Sequence, residues 1–133
     1  MKILVDSDIL VGAFRKDDTN NFKAISLLKL ILSNHQGYII NLVLMESATV
    51  LSHRIGMDAV KLFLKRFPEL ELTIIDMDHN LEEKAWEIFT KQTKKGCSYV
   101  DCANLASIAH YHLDKIASFD GFYPKHLVFL DGN

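Results

Sequence analysis

The chain has 133 residues, 49% of them hydrophobic, and 15 Lys and Arg against 17 Asp and Glu give a net charge of -2. That is the length of one domain, 1–133, with enough apolar residues for a full core without disulfide staples. The near-neutral balance excludes a global positive field, which counts modestly against a protein that coats nucleic acid indiscriminately and leaves room for a local basic rim.

Ile3-Leu4-Val5 is an apolar run without helical periodicity, the pattern of a strand buried on both faces. Asp6 and Asp8 break it too early for a signal peptide, and a short helix is expected to start near Ile9. After the polar break Asp17-Asp18-Thr19-Asn20-Asn21, the residues Phe22, Ile25, Leu28 and Ile31-Leu32 recur at helical spacing. Gly37 introduces a second strand, Tyr38-Ile39-Ile40. Asn41 is placed to cap the following helix, with Ile40 and Met45 as its hydrophobic staple. Gly56 marks a break, and Met57–Phe67 is helical until Pro68 stops it. Leu72–Ile75 reads as a third strand. Asp78 then caps a helix with Leu81, Ala85, Ile88 and Phe89 on one face. Gly96 ends that helix, and Ser98 caps the next, which runs to about Leu113. Ile116–Ser118 is the fourth strand and Leu127–Phe129 a short fifth.

This alternation predicts an α/β fold, a three-layer α/β/α sandwich around a mostly parallel central sheet of about five strands. The longest uncharged apolar stretch, Tyr38–Met45, is too short to span a bilayer, so a soluble cytoplasmic protein without membrane association is expected. Cys97 and Cys102 fit neither a Cys-x-x-Cys pair nor a zinc knuckle and are expected as free thiols.

Four acids stand where the chain changes state. Asp6 ends the first strand, Asp120 follows the fourth, and Glu46 and Asp101 lie early in half-apolar helices. Carboxylates in such places are unfavourable unless compensated, and converging carboxylates suit a hard divalent cation such as Mg²⁺ or Mn²⁺. In open α/β sheets, ligands bind outside the carboxyl ends of the strands at the topological switch point. If the strands ending near Asp6 and Asp120 are neighbours, both acids face that crevice. Each acid also has a local explanation. Asp6 or Asp8 would cap the first helix, and Glu46 would edge its own. Ser98-Tyr99-Val100-Asp101 fits a capping box, and Asp120-Gly121 fits a turn. Asp8 is read as a helix cap. Asn104, one turn after Asp101, shares its face and is placed to hydrogen-bond Asp101 or water bound at a metal.

The residues carry a family resemblance as well. Leu4-Val5-Asp6-Ser7, Leu44-Met45-Glu46-Ser47-Ala48, Tyr99-Val100-Asp101-Cys102-Ala103 and Ser118-Phe119-Asp120-Gly121 resemble, in order and spacing, the four motifs of PIN-domain ribonucleases. That class includes the VapC toxins of toxin–antitoxin pairs. The resemblance implies metal-dependent hydrolysis of RNA phosphodiesters, with Asp6, Glu46, Asp101 and Asp120 holding Mg²⁺ or Mn²⁺. Asp6 and Asp101 would be direct ligands, and Glu46 and Asp120 would be ligands or orienters of water. Ser7 and Ser118, with Asn104, would hydrogen-bond around them. It further implies an RNA substrate, a homodimer, and a small antitoxin acting in trans.

Two other classes compete. A non-catalytic module of the same fold would bind RNA or protein without cutting, although such modules usually lose acids that are all present here. A haloacid-dehalogenase-type phosphatase would use the Asp6-Ser7-Asp8 start with Asp6 as nucleophile, but a Lys followed by a paired Asp-Asp near the end is missing. The six histidines contain no His-x-x-x-His pair, and no nucleophile elbow or glycine-rich phosphate loop occurs.

Overall fold

Ile3, Leu4 and Val5 are wholly buried, as their uninterrupted apolar run predicts, and they form the heart of strand β1 (Lys2–Val5). The computed structural model describes residues 1–130; the last three positions of the expected 1–133 domain lie outside the described residues. After β1 come α1 (Ser7–Phe14), α2 (Asn21–Asn34), β2 (Gln36–Ile40), α3 (Asn41–Arg54) and α4 (Met57–Arg66). They are followed by β3 (Thr73–Ile75), α5 (His79–Thr90), α6 (Tyr99–Tyr111) and β4 (Lys115–Ala117).

The four strands form one parallel sheet in the order β3-β2-β1-β4. Successive strands step one way from β1 to β2 to β3, and β4 then returns to the other side of β1. The strand order therefore reverses between β1 and β4, where Val5 pairs with Ala117 and the Asp6 N–H extends the ladder to the Ala117 carbonyl at 3.0 Å. Helices flank the sheet: α1 packs on α2 and α3, α3 on α4, and α5 on α6. Phe63 and Phe129 are the bulkiest of the fully buried side chains. Among the described residues, no helix is long and apolar enough to cross a membrane.

Local signals account for most boundaries. Asp78 caps α5 by accepting from the Leu81 N–H at 2.8 Å. Ser98 and Asp101 form the expected reciprocal capping box at the start of α6. Two expectations change. The fifth strand shrinks to one bridge between Ile116 and Val128, with the Phe129 N–H donating to the Ile116 carbonyl at 2.8 Å. The turn Lys125–Leu127 after Pro124 takes Leu127, the first residue of the expected strand. Asn41 is the first residue of α3 instead of its cap, and its Oδ1 accepts from the Leu42 N–H and, 3.3 Å away, from the Met77 N–H beyond β3. The expected staple does not form either, since Ile40 is buried and Met45 is 54% exposed.

Candidate functional site

Asp6 leaves β1 directly into the start of α1, with extended backbone angles at the cap position. Its carboxylate is 4% exposed and receives three donors. The Ser7 N–H and the Asn104 amide donate to Oδ1 at 2.9 and 3.3 Å, and the Ser118 hydroxyl donates to Oδ2 at 2.8 Å. Ser118 follows β4 directly, so the adjacency of β1 and β4 is what brings these two residues together. The Ser118 oxygen also accepts from the Asp120 N–H at 3.0 Å, fixing the next acid's backbone.

Asp8 is drawn into the same network. It does not cap α1; its Oδ2 accepts from the Phe119 N–H at 2.9 Å and lies 3.3 Å from the Ser118 hydroxyl. One hydroxyl proton thus stands between Asp6 and Asp8, while Asp8 Oδ1 is buried without a partner. The Asp-x-Asp spacing was the visible signal. A residue in the first turn of α1 points back toward the β4 loop, which a reading of the helix alone does not reveal.

Asp101 enters from α6. Its Oδ2 closes the capping box on the Ser98 N–H at 2.9 Å, and its Oδ1 lies 3.3 Å from the Tyr123 hydroxyl. The capping box therefore uses one oxygen and leaves the other facing Tyr123. Asn104 is fully buried and its amide donates to the Tyr123 hydroxyl at 3.0 Å as well as to Asp6; it reaches Asp101 only through that tyrosine. Its own Oδ1 is buried and unpartnered. Tyr123, 3% exposed, carries no motif signal in the sequence, and only the return of the chain after β4 places it between Asp6 and Asp101.

Asp120 is exposed, and its Oδ1 accepts from the Phe122 N–H at 2.9 Å, the turn its sequence suggested. Glu46 is half-buried on α3 and has no hydrogen bond to the others. Ser7 contributes its N–H to Asp6 and its side chain to the adjoining depression beside Asp8. The structure therefore gathers Asp6, Asp8, Asp101, Asp120, Ser118, Asn104 and Tyr123, and leaves Glu46 outside that network.

The electrostatics follow from burial. Desolvation pushes the Asp6 carboxyl up to about 6; the Ser118 and Ser7 hydrogen bonds oppose this, and the Asp101 charge adds to it. Asp8 is pushed up to about 7, first by desolvation and then by the charge of Asp6. Burial likewise raises the Tyr123 phenol, so it remains a hydrogen-bond donor, and raises the Cys102 thiol to about 11. Cys97 and Cys102 are both free. Among the described residues, none of these site acids pairs with a Lys or Arg.

The donors fit a hard divalent cation in kind: they are all oxygen, largely carboxylate, and two buried oxygens have no protein partner. Among the described residues, no three acidic, His or Cys side chains are close enough together to hold one ion as they stand.

Residues 3–124 match the family model described as the PIN domain. No curated protein matches the chain in sequence. Among solved structures, the chain resembles VapC20 of Mycobacterium tuberculosis, described as a Sarcin-Ricin loop cleaving toxin. The two share 24% identity and a TM-score of 0.79, over 90% of this chain and 91% of that one. It also resembles VapBC2 from Rickettsia felis bound to a DNA fragment from its promoter, at 19% identity and a TM-score of 0.70, covering 97% and 98% of the two chains. A toxin–antitoxin complex from Klebsiella pneumoniae matches at 16% identity and a TM-score of 0.69, covering 96% and 95%. At such identities the likeness is one of fold, while the family match spans nearly the whole sequence: the chain belongs to the PIN domain family.

Proposed function

We propose that the chain is a metal-dependent endoribonuclease, the toxin of a VapBC-type toxin–antitoxin pair. The observation that carries this reading is the convergence of Asp6, Asp8 and Ser118 at the switch point between β1 and β4, with Asp101 joined to them through Asn104 and Tyr123. Acids gathered there without a basic partner, two of them pushed up toward neutral pH, make a site that favours a cation.

In this reading Asp6 and Asp101 are the direct ligands, and Asp120 and Glu46 are ligands or orienters of water, with Asp8 added by its shared hydrogen bond to Ser118. When bound, Mg²⁺ or Mn²⁺ supplies Lewis acidity, which makes water nucleophilic at neutral pH and offsets charge building on phosphate oxygens. The protein's part is orientation. Ser118 holds Oδ2 of Asp6 while the Ser7 N–H and Asn104 hold Oδ1, so this carboxylate has one pose. The capping box fixes Asp101 by Oδ2 and leaves Oδ1 toward the cleft, where Tyr123 steadies it. Asp120 is fixed through its own backbone and Oδ1, which leaves Oδ2 available for water.

A partner antitoxin acting in trans and a homodimeric assembly belong to the same reading. The named complexes from Rickettsia felis and Klebsiella pneumoniae motivate the first. An apolar groove of about 580 Å³ between α2 and α4, lined by Phe14, Ile25, Leu28, Leu32 and Leu62, offers such a partner a surface.

The test is to map new 5′-phosphate ends in total cellular RNA incubated with Mn²⁺ and either this protein or Asp101→Asn. Asparagine keeps an oxygen for the Ser98 N–H, so α6 stays capped while the ligand charge is lost. Discrete ends produced only by the unaltered protein are expected. Identical end profiles from the two proteins would sink the enzymatic reading and leave a binding module.

A further inference from the structure

The loop after β4 reads Phe119-Asp120-Gly121-Phe122, placing one aromatic residue on each side of Asp120. Each ring has a lysine over it, and the two lysines come from distant parts of the chain. Lys23, near the start of α2, places Nζ 6.0 Å from the centroid of Phe119. Lys94, from the connection between α5 and α6, places Nζ 5.7 Å from the centroid of Phe122 and donates to the Phe122 carbonyl at 3.1 Å. Two surface depressions reach the acids from different ends. One, of about 400 Å³, joins Lys94 and Lys95 to Asp120. The other, of about 440 Å³, joins Asp8 and Phe119 to Arg15 and Arg54.

A polyanion approaching the acids meets like charge, so its phosphates need compensating cations close by. Lys23 and Lys94 are exposed, and among the described residues neither forms an ion pair with a carboxylate. The aromatic faces hold their ammonium groups in place without neutralising them. Phe119 and Phe122 are themselves only half-buried, which leaves ring surface for bases. Cation and aromatic side by side, repeated across a groove, is the chemistry that binds single-stranded nucleic acid.

We propose that the pairs Lys23–Phe119 and Lys94–Phe122 are two contact points of a track that carries single-stranded RNA across the carboxylates. The lysines take phosphates on the two sides of the reacting one, and the rings stack on bases. This proposal rests on the ribonuclease reading and names the residues that position its substrate.

The experiment measures fluorescence anisotropy of a short fluorescein-labelled single-stranded RNA of mixed sequence. Ca²⁺ is present to neutralise the acids, salt runs from about 50 to about 200 mM, and a gel checks that the RNA stays intact. Lys23→Gln and Lys94→Gln are each expected to weaken binding several-fold and to flatten the plot of log affinity against log salt by about 0.7. The double variant flattens it by twice as much, Lys94→Arg restores it, and Lys61→Gln on α4 leaves it unchanged. Phe122→Leu weakens binding with the slope intact, because stacking releases no counterions. Slopes in the two lysine variants equal to that of the unaltered protein overturn the track. If Asp101-dependent cleavage persists with those equal slopes, only the track is lost; a protein that neither binds nor cuts RNA loses the ribonuclease reading as well.

Discussion

At the scale of single residues, the decisive feature is a pair of carboxyls that the fold prefers neutral. Asp6 and Asp8 have ordinary values of 3.8 and stand at about 6 and about 7 in the folded chain. A raised carboxyl leaves stability untouched at pH below its unfolded value. Stability then falls as pH rises through the interval, and the whole loss is present above the folded value. For Asp6 that amounts to about 3 kcal/mol between pH about 4 and about 6. Asp8→Asn therefore has a pH-dependent effect in EDTA. An amide's fit beside Phe119 adds the same amount at every pH, so only the ionisation difference varies. Relative to the unaltered protein, the variant should gain on the order of 2 kcal/mol from pH 4 to pH 8, after allowing for the partial exposure of Asp8. Thermal melts at the two pH values check this, and an equal melting difference at both would refute it. Sequence reasoning picked out Asp6, Asp101, Asp120 and Ser118 because each sits at a strand end or cap, and Asn104 because it lies one helical turn after Asp101. It assigned Asp8 to local capping and passed over Tyr123, because both act through partners more than a hundred and about twenty residues away in the chain.

Elements were legible where their limits are set by neighbours in sequence. Ser98 and Asp78 cap as their positions predict, since a cap involves a side chain and backbone within one turn. The fifth strand was legible only in part, because pairing depends on the partner's register and the turn before it, and the Lys125–Leu127 turn takes Leu127 and leaves a single bridge at Val128. Gly37 shows the same dependence. It was read as a break before a strand, yet it lies within β2 opposite Ile3. A Cβ at Gly37 would stand 2.5 Å from Cδ2 of Leu72 and 3.1 Å from Cγ2 of Ile31. Leu72 is half-exposed and can rotate away, but Ile31 is buried and has no room to yield. Gly37→Ala should therefore destabilise the protein by about 1–2 kcal/mol, seen as a lower urea midpoint with the slope unchanged. An unaltered midpoint would mean that β2 and α2 are looser than this packing implies.

For the molecule as a whole, the net charge of -2 conceals an uneven distribution: Asp6, Asp8, Asp101 and Asp120 gather at one end of the sheet with no basic partner among the described residues. Folding drives that gathering, since the apolar run Ile3-Leu4-Val5 of β1 must sit centrally and its carboxyl end carries Asp6 with it. The unfavourable convergence is therefore built into the fold, and under the proposed reading a divalent cation would relieve it only in the folded state. Mg²⁺ or Mn²⁺ should raise the melting temperature, with a gain of about 2.7 kcal/mol when the free ion is a hundred times its dissociation constant. Protons compete for the same oxygens, so the gain should be larger at pH 8 than at pH 5, which lies below the raised values of Asp6 and Asp8. General screening would act alike at both pH values and on any variant; a KCl control at equal ionic strength isolates it. Asp101→Asn should lose most of the gain, because it removes the charge of a proposed ligand without uncapping α6. Calorimetric melts with and without the ion decide the matter: a shift independent of pH and unchanged in Asp101→Asn would place the cation elsewhere on the molecule. A shift that vanishes in the variant and grows with pH would tie metal binding to these carboxylates even if no RNA had yet been found to be cut.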